Sequence, residues 1–331
     1  MHICGMRWQT TTQLPSFPFH INHGEAILLM GSCFAENIGE RLSRYKFKTV
    51  QNPFGIVYNP LSLAETVSFL CGDKTFTENN LNYSNNLYFS YMHHSRFSGV
   101  VKTEVLQNMN EKLAEARASL KNQKAAFISL GTAFYWVLNQ TDQAVNNCHK
   151  QPSKLFTQKR ASVNEVTQAL LKTIHALRSK NASLQIVFTI SPIRHLKHGS
   201  AQNQLSKATL LVAAHTLAEE FDFVHYFPSY ELLLDDLRDY RFYNEDLIHP
   251  NKIAVDYIWE AFTRCFFSEE TQQILPKIEK IKQLISHRLM HATDEKRLEL
   301  SNKIIQNIDA LKNVVDVDFM SEWLLWSKQN S

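Results

Sequence analysis

The stretch Ala26-Ile27-Leu28-Leu29-Met30-Gly31-Ser32-Cys33-Phe34-Ala35 decides how this chain is read. It opens with a continuous apolar run, Ala26 to Met30, bounded by Gly24 and Gly31. A short apolar run without alternation fits a strand buried on both faces, as the strands of parallel sheets are. From Phe34 to Tyr45 the pattern turns helical, with Ile38 and Leu42 four positions apart. Gly31-Ser32-Cys33 therefore stands where a strand ends and a helix begins.

Working outward, the pattern recurs. Ala125 to Leu130 (AAFISL) ends at Gly131, Leu184 to Ile190 (LQIVFTI) ends at Ser191-Pro192, and Phe223 to Phe227 ends at Pro228. Helical patterns cover Lys102 to Leu120, Val163 to Ser179 and Asn203 to Phe221. Strands alternating with helices of this length indicate βαβ units and a parallel sheet. Ligand sites of such sheets lie outside the carboxyl ends of the strands. Gly31 to Cys33, Gly131-Thr132 and Ser191 to Arg194 all fall there. Gly72 to Gly99, rich in Asn, Ser, Tyr and Phe, reads as an irregular insertion or hairpin that could cover the site. After Pro276, Lys, Glu, Gln, Ile and Leu dominate, which marks an amphipathic helical tail. The expected division is a domain over residues 1–269 and a helical extension over 270–331. The tail's charges read as a solvated face, with a homo-oligomer interface as the second reading.

Composition bounds the rest. The chain has 331 residues, 44% hydrophobic and 20% charged, which suits a globular protein with a sizeable core. A formal net charge of +3 gives no ground for a nucleic-acid or membrane-surface partner. No apolar run approaches the ~20 residues of a transmembrane helix. The polar start, Met1 to Pro15, lacks the basic-then-apolar layout of a secretory signal. The five cysteines, Cys4, Cys33, Cys71, Cys148 and Cys265, form no CxxC pair. Reduced thiols in the cytoplasm are the simpler reading. The pairs His93-His94 and His195/His198 have cationic neighbours in Arg96, Arg194 and Lys197 and no carboxylate at ligand spacing, so no metal is expected. Without a Gly-rich phosphate loop, no cofactor is expected either.

Two places could carry chemistry. A side chain at the strand-to-helix turn meets the free N–H groups of the helix's first turn, which favour negative charge and lower a thiol's pKa. Cys33 or Ser32 could use this. The structural alternative makes Ser32 a helix cap and Cys33 a small buried residue. Farther on, Asp246-Leu247-Ile248-His249-Pro250-Asn251 precedes an apolar-periodic helix, Ile253 to Phe267. Three positions apart on one turn, Asp246 can fix the tautomer of His249 and leave its other nitrogen free to take a proton. A DxxH string is also common at ordinary helix starts.

Together and in this order, the two blocks resemble the SGNH (GDSL-like) hydrolase superfamily, and more closely the GSCFA family, whose motif is present as Gly31-Ser32-Cys33-Phe34-Ala35. Asn52-Pro53-Phe54-Gly55, Leu130-Gly131-Thr132-Ala133, Asn147-Cys148-His149-Lys150, Thr189 to His195 and Arg238 to Pro250 resemble it too. The resemblance spans Leu14 to Phe267. It implies a three-layer α/β/α sandwich, flavodoxin-like, and covalent acyl transfer. Laid over the superfamily's Gly-Asp-Ser block, Cys33 takes the nucleophile's place and Ser32 that of its Asp; a shift by one residue would make Ser32 the nucleophile. Asp246 and His249 take the places of the orienting acid and the base. Gly55 maps to the second block's glycine, and the backbone N–H groups of Cys33 and Gly55 are expected to hold the oxyanion. The third block's asparagine, an oxyanion donor, is replaced by Ala133, and one lost donor can cost ~3–4 kcal/mol. Thr132 and Asn147 are the candidates to replace it. His149 and Arg194 are expected at the substrate site.

The expected activity is that of an acyl-ester hydrolase or acyltransferase, with an O-acetylated carbohydrate as first substrate. The alternatives are a binding module that keeps the fold without catalysis, and a scaffold acting through its helical tail.

Overall fold

The structure, a computed structural model, describes residues 10–287 and 293–330. The first part of the polar N-terminal stretch, with Cys4, lies outside the described residues.

Strands β1 (Ala26–Gly31), β2 (Lys48–Gln51), β3 (Gln123–Leu130), β4 (Gln185–Ile190) and β5 (Val224–Tyr226) form one parallel sheet in the order β5-β4-β3-β1-β2. Read from the other edge, this is the 2-1-3-4-5 order of flavodoxin-like doubly wound folds. The helices are α1 (Cys33–Arg44), α2 (Pro60–Cys71), α3 (Lys102–Leu120), α4 (Val163–Lys180), α5 (Gly199–Glu220) and α6 (Lys252–Phe266).

The apolar run of β1 serves both faces of the sheet. Leu28 and Met30 join a core with Leu63 and Val67 of α2, Met109 of α3, Ile174 of α4 and Leu210 of α5. Ile27 and Leu29 join a second core with Ile38 and Leu42 of α1 and Ile258 and Phe262 of α6. Helices on both faces make the three-layer α/β/α sandwich that the sequence led us to expect, and explain why β1 shows no alternation.

Some elements were not legible. β2 (KTVQ) is a partly exposed edge strand and has no apolar run. A three-stranded antiparallel sheet, Phe134–Leu138 with Gln143–Val145 and Phe156–Arg160, follows β3. Within 72–99 a hairpin pairs Asn82–Ser84 with Leu87–Phe89. Its turn residues, Asn85 and Asn86, take the positive φ values of 52° and 60° that such tight turns need.

The C-terminal helices are α7 (Glu269–Ser286), α8 (Asp294–Lys312) and α9 (Met320–Asn330). Ile274, Ile278 and Ile281 pack with Ile304, Leu311 and Phe319 in a core of their own. Ion pairs from Arg44 to Glu279 (2.6 Å) and from Lys46 to Glu322 fasten these helices to the end of α1 and the loop after it. Among the described residues no helix is long and apolar enough to cross a membrane.

Candidate active site

β1 ends in a turn that only glycine can make. Gly31 has φ +119°, and a Cβ there would stand 2.0 Å from the carbonyl oxygen of Ser129 on β3. Its N–H donates to Asn52 Oδ1 at 2.8 Å. Ser32 then caps α1. Its Oγ accepts the Phe34 N–H at 3.2 Å and lies 2.8 Å from Ser129 Oγ, and the residue is 1% exposed. The hydroxyl is committed to the cap. Cys33, the first residue of α1, keeps a partly exposed thiol, with Sγ 3.6 Å from the Tyr58 hydroxyl. Its backbone N–H has no acceptor among the described residues, whereas the Ser32 N–H donates to Ser129 O. A free N–H and a thiol thus share the positive end of α1, at the sheet's topological switch point between β1 and β3.

The second expected block folds into a tight loop. Asp246 Oδ1 accepts the N–H groups of Ile248 and His249, each at 2.9 Å, and Oδ2 lies 2.6 Å from His249 Nδ1. The His249 backbone, the Ile248 backbone and then the His249 ring hold the Asp246 carboxyl down to about 2, so it stays ionised. An ionised partner at Nδ1 fixes the imidazole's tautomer. His249 Nε2 has no hydrogen-bond partner among the described residues, and the side chain is half exposed. Arg194, expected at the site, holds this loop in place. Its Nη2 donates to Leu247 O at 2.6 Å, and its guanidinium lies 4.8 Å from the Tyr243 ring centre.

Three residues surround Gly131, at the turn after β3. Tyr58 reaches Cys33 through its hydroxyl, and its carbonyl accepts the N–H groups of Gly131 (2.8 Å) and Thr132 (3.0 Å). Burial, and then the Cys33 thiol, push its phenol pKa upward, so it remains a donor. The His195 ring packs edge-on against Tyr58, 5.6 Å between centres. Burial, then the charges of Lys207 and His249, lower His195 to about 4. Lys207, on α5, is 1% exposed and places Nζ 2.6 Å from both Gly131 O and Ser191 O. Cys33, Tyr58, His195 and Lys207 are therefore linked around Gly131 at the carboxyl ends of the central strands, and the Asp246–His249 loop is tied to them through Arg194, the residue before His195. No hydrogen bond joins Cys33 directly to His249.

The remaining expected residues build the surrounding loops. The Gly55 N–H donates to Asn52 O at 2.7 Å and is not free for an oxyanion. The Thr132 hydroxyl pairs with Ser206 Oγ at 3.0 Å and accepts the Phe134 N–H. Asn147 Oδ1 accepts the His149 N–H at 2.8 Å. His149 stacks on Phe89 and points Nε2 at the carbonyls of Ser90 and His93. Among the described residues none of these four is hydrogen-bonded to Cys33 or His249; their polar groups order the loops instead.

Sequence reading missed Tyr58 and Lys207. Tyr58 carries no spacing signal. Lys207 does: Asn203, Ser206, Lys207, Leu210, Ala213, Ala214 and Leu217 are the buried stripe of α5, and a lysine on such a stripe is an anomaly that the pattern exposes.

The profile of the GSCFA family matches residues 26–262 of this sequence. No protein of curated function matches it. Among solved structures, an acetyl xylan esterase (Est2A) from the rumen bacterium Butyrivibrio proteoclasticus aligns over 76% of this chain and 64% of its own length, at 12% identity and a TM-score of 0.36. A carbohydrate esterase family 3 protein from Talaromyces cellulolyticus aligns over 77% of this chain and 99% of its own, at 8% identity and a TM-score of 0.34. The chain thus spans less than two thirds of the first of these proteins.

Proposed function

The chain belongs to the GSCFA family, and we propose that it cleaves or transfers acyl esters through a thioester on Cys33, with His249 as the base. The observation that carries this reading is the Asp246–His249 pair, 2.6 Å apart and with Nε2 unengaged among the described residues, in a chain that also sets a partly exposed thiol at the start of α1.

His249 Nε2 takes the Cys33 proton, and Sγ adds to the ester carbonyl. The oxyanion is held by the Cys33 N–H and the Tyr58 O–H, which take over from the superfamily's missing asparagine. Collapse breaks the ester bond, and the leaving alkoxide takes the proton back from His249, which leaves a thioester on Cys33. Water or a sugar hydroxyl, deprotonated by the same imidazole, then releases the acyl group as acid or new ester. Hydrogen bonds between base and nucleophile are commonly long in ligand-free enzymes and close around substrate. An O-acetylated carbohydrate is the proposed substrate. A nucleophilic thiol must stay reduced, and the free Cys33, Cys71, Cys148 and Cys265 accord with the cytoplasm.

The binding-module reading is favoured by one observation: the Cys33 thiol contacts Tyr58 and not His249. Turnover of an activated acetyl ester and of O-acetylated xylo-oligosaccharide decides between the two. The enzyme reading expects turnover that falls at least about a hundredfold in His249→Ala and Cys33→Ala. Equal rates in wild type and both variants would leave the binding module.

A further inference from the structure

Two residues of the loop that carries His249 are not explained by the fold. Leu247 holds φ at +57°, a left-handed backbone that a bulky side chain adopts only at a cost. Glycine or asparagine would take that position with less strain. Burial does not offset the strain, since Leu247 is 50% exposed. Tyr240, at the start of the same loop, is 61% exposed. Both are nonetheless held in place. The Asn244 N–H donates to His249 O at 2.8 Å and the Asn251 N–H to Phe242 O at 2.9 Å, so residues 242–244 run alongside 249–251. Arg194 joins the two exposed residues. Its Nη2 donates to Leu247 O at 2.6 Å, its Nη1 lies 3.5 Å from the Tyr240 hydroxyl, and its guanidinium carbon lies 5.3 Å from the Tyr240 ring centre. The Tyr243 ring packs beside them, 5.9 Å from that of Tyr240. A contact of 3.5 Å is at the limit of a hydrogen bond, so the phenol and Nη1 keep capacity for another partner. An exposed aromatic alone is ordinary. A strained, exposed leucine on the same guanidinium, in the loop of the base, is not.

We propose that Tyr240 and Leu247 form a platform for a sugar ring on the alcohol side of the ester, with the Tyr240 hydroxyl and Arg194 Nη1 bonding its hydroxyl groups. The proposal rests on the function proposed above, in which His249 returns its proton to the leaving oxygen. Residues of the base's own loop therefore meet the alcohol and not the acyl group. The chemistry of the platform selects the class of alcohol. An alkyl chain is best held in an enclosed slot, whereas this surface is open. A pyranose offers a face of C–H groups to an aromatic ring and a rim of hydroxyls to polar neighbours. A tyrosine, apolar in its ring and polar at its tip, matches both when a guanidinium stands beside it.

The test compares two substrates, an O-acetylated xylo-oligosaccharide and a small activated acetyl ester without a sugar. The reading is the ratio of their kcat/KM values, which a general loss of activity or of loop order leaves unmoved. Tyr240→Ala and Leu247→Gly should each lower the ratio about five- to tenfold, and Tyr240→Phe should hold it within about twofold because the ring remains. Leu247→Gly should also resist urea at least as well as wild type, because it removes the strain. An equal ratio in wild type, Tyr240→Ala and Leu247→Gly overturns the proposal. So does a loss in Tyr240→Phe as large as in Tyr240→Ala, and so does a Leu247→Gly protein that is less stable than wild type and keeps the ratio. Wild type that turns over the small ester but not the sugar ester overturns it too, and leaves the acyl-transfer reading standing. If neither ester is turned over, that reading fails, and calorimetric titration with the acetyl-free xylo-oligosaccharide decides the platform by itself. Binding weakened about five- to tenfold in Tyr240→Ala supports it, and binding that is equal in both proteins, or absent from wild type, overturns it.

Discussion

The Tyr58 hydroxyl lies 3.6 Å from the Cys33 sulfur, while the carbonyl of the same residue accepts the N–H groups of Gly131 and Thr132. One residue thus ties the thiol at the end of β1 to the loop that follows β3. Its phenol stays protonated, because burial and the neighbouring thiol both oppose ionisation. Tyr58→Phe keeps the carbonyl and removes only the donor. The expected outcome is a stability loss of about 1 kcal/mol and a fall in kcat of about 10- to 100-fold with KM little changed, as for a group that acts on the transition state. Steady-state kinetics with an activated acetyl ester measure this. A larger change in KM than in kcat would place Tyr58 in ground-state binding.

Under the proposed mechanism Arg194 acts on His249 through the loop that carries it. With Nη2 on Leu247 O at 2.6 Å, it holds the segment between Asp246 and His249. Arg194→Met should lower kcat roughly tenfold through loss of orientation. Arg194→Lys should not restore it, since a point charge cannot both reach the carbonyl and lie on the Tyr243 ring. Recovery in the lysine variant would show that charge alone matters there.

His93 is expected to weaken the fold in acid. It is 1% exposed, its two ring nitrogens have no hydrogen-bond partner among the described residues, and Phe54, Phe76 and Phe97 pack around it. Burial, then His149, lowers its pKa to about 3. The sign follows from linkage. Below the ordinary value near 6.5 the unfolded chain takes up a proton that the folded chain refuses until about pH 3, so stability falls as pH falls through that window. The loss is on the order of a few kcal/mol. His93→Phe should match wild type near neutrality and resist unfolding better at pH 4, read by urea titration at both pH values. Equal losses on acidification in both proteins would count against this.

Gly55 serves the fold. Its φ is +81°, and an added Cβ would meet His94 Cβ at 2.2 Å. Gly55→Ala should destabilise by about 2 kcal/mol or more, through strain and overpacking together. Urea unfolding gives the value.

What could be read from the sequence, and what could not, divides on physical grounds. β5, at one edge and only partly buried, was marked by its flanking aromatic residues and Pro228. β1, β3 and β4 are buried runs bounded by Gly or Pro, and such runs announce parallel strands. β2 did not, because at the sheet edge its residues are half exposed and need no apolar pattern. Asp246 and His249 were legible because one turn brings them together. The engagements of the expected oxyanion donors were not. Gly55, Thr132 and Asn147 stood in motif-like positions, but their hydrogen bonds are spent within the loops, and that is decided by tertiary contacts. Tyr58 meets Cys33 across the ends of two strands, a pairing that no local spacing encodes. Lys207 lay in view as the one cation on a buried stripe.

The most direct measurement is intact-mass analysis after mixing with an activated acetyl ester, in wild type, Cys33→Ala, Ser32→Ala and His249→Ala. Ser32 caps α1 through its hydroxyl, so Ser32→Ala should cost about 1 kcal/mol of stability and keep the adduct. The account expects one acetyl adduct on wild type and on Ser32→Ala, mapping to the Cys33 peptide, and none on Cys33→Ala or His249→Ala. An adduct that survives Cys33→Ala and vanishes in Ser32→Ala, or no adduct and no turnover in wild type, would contradict it.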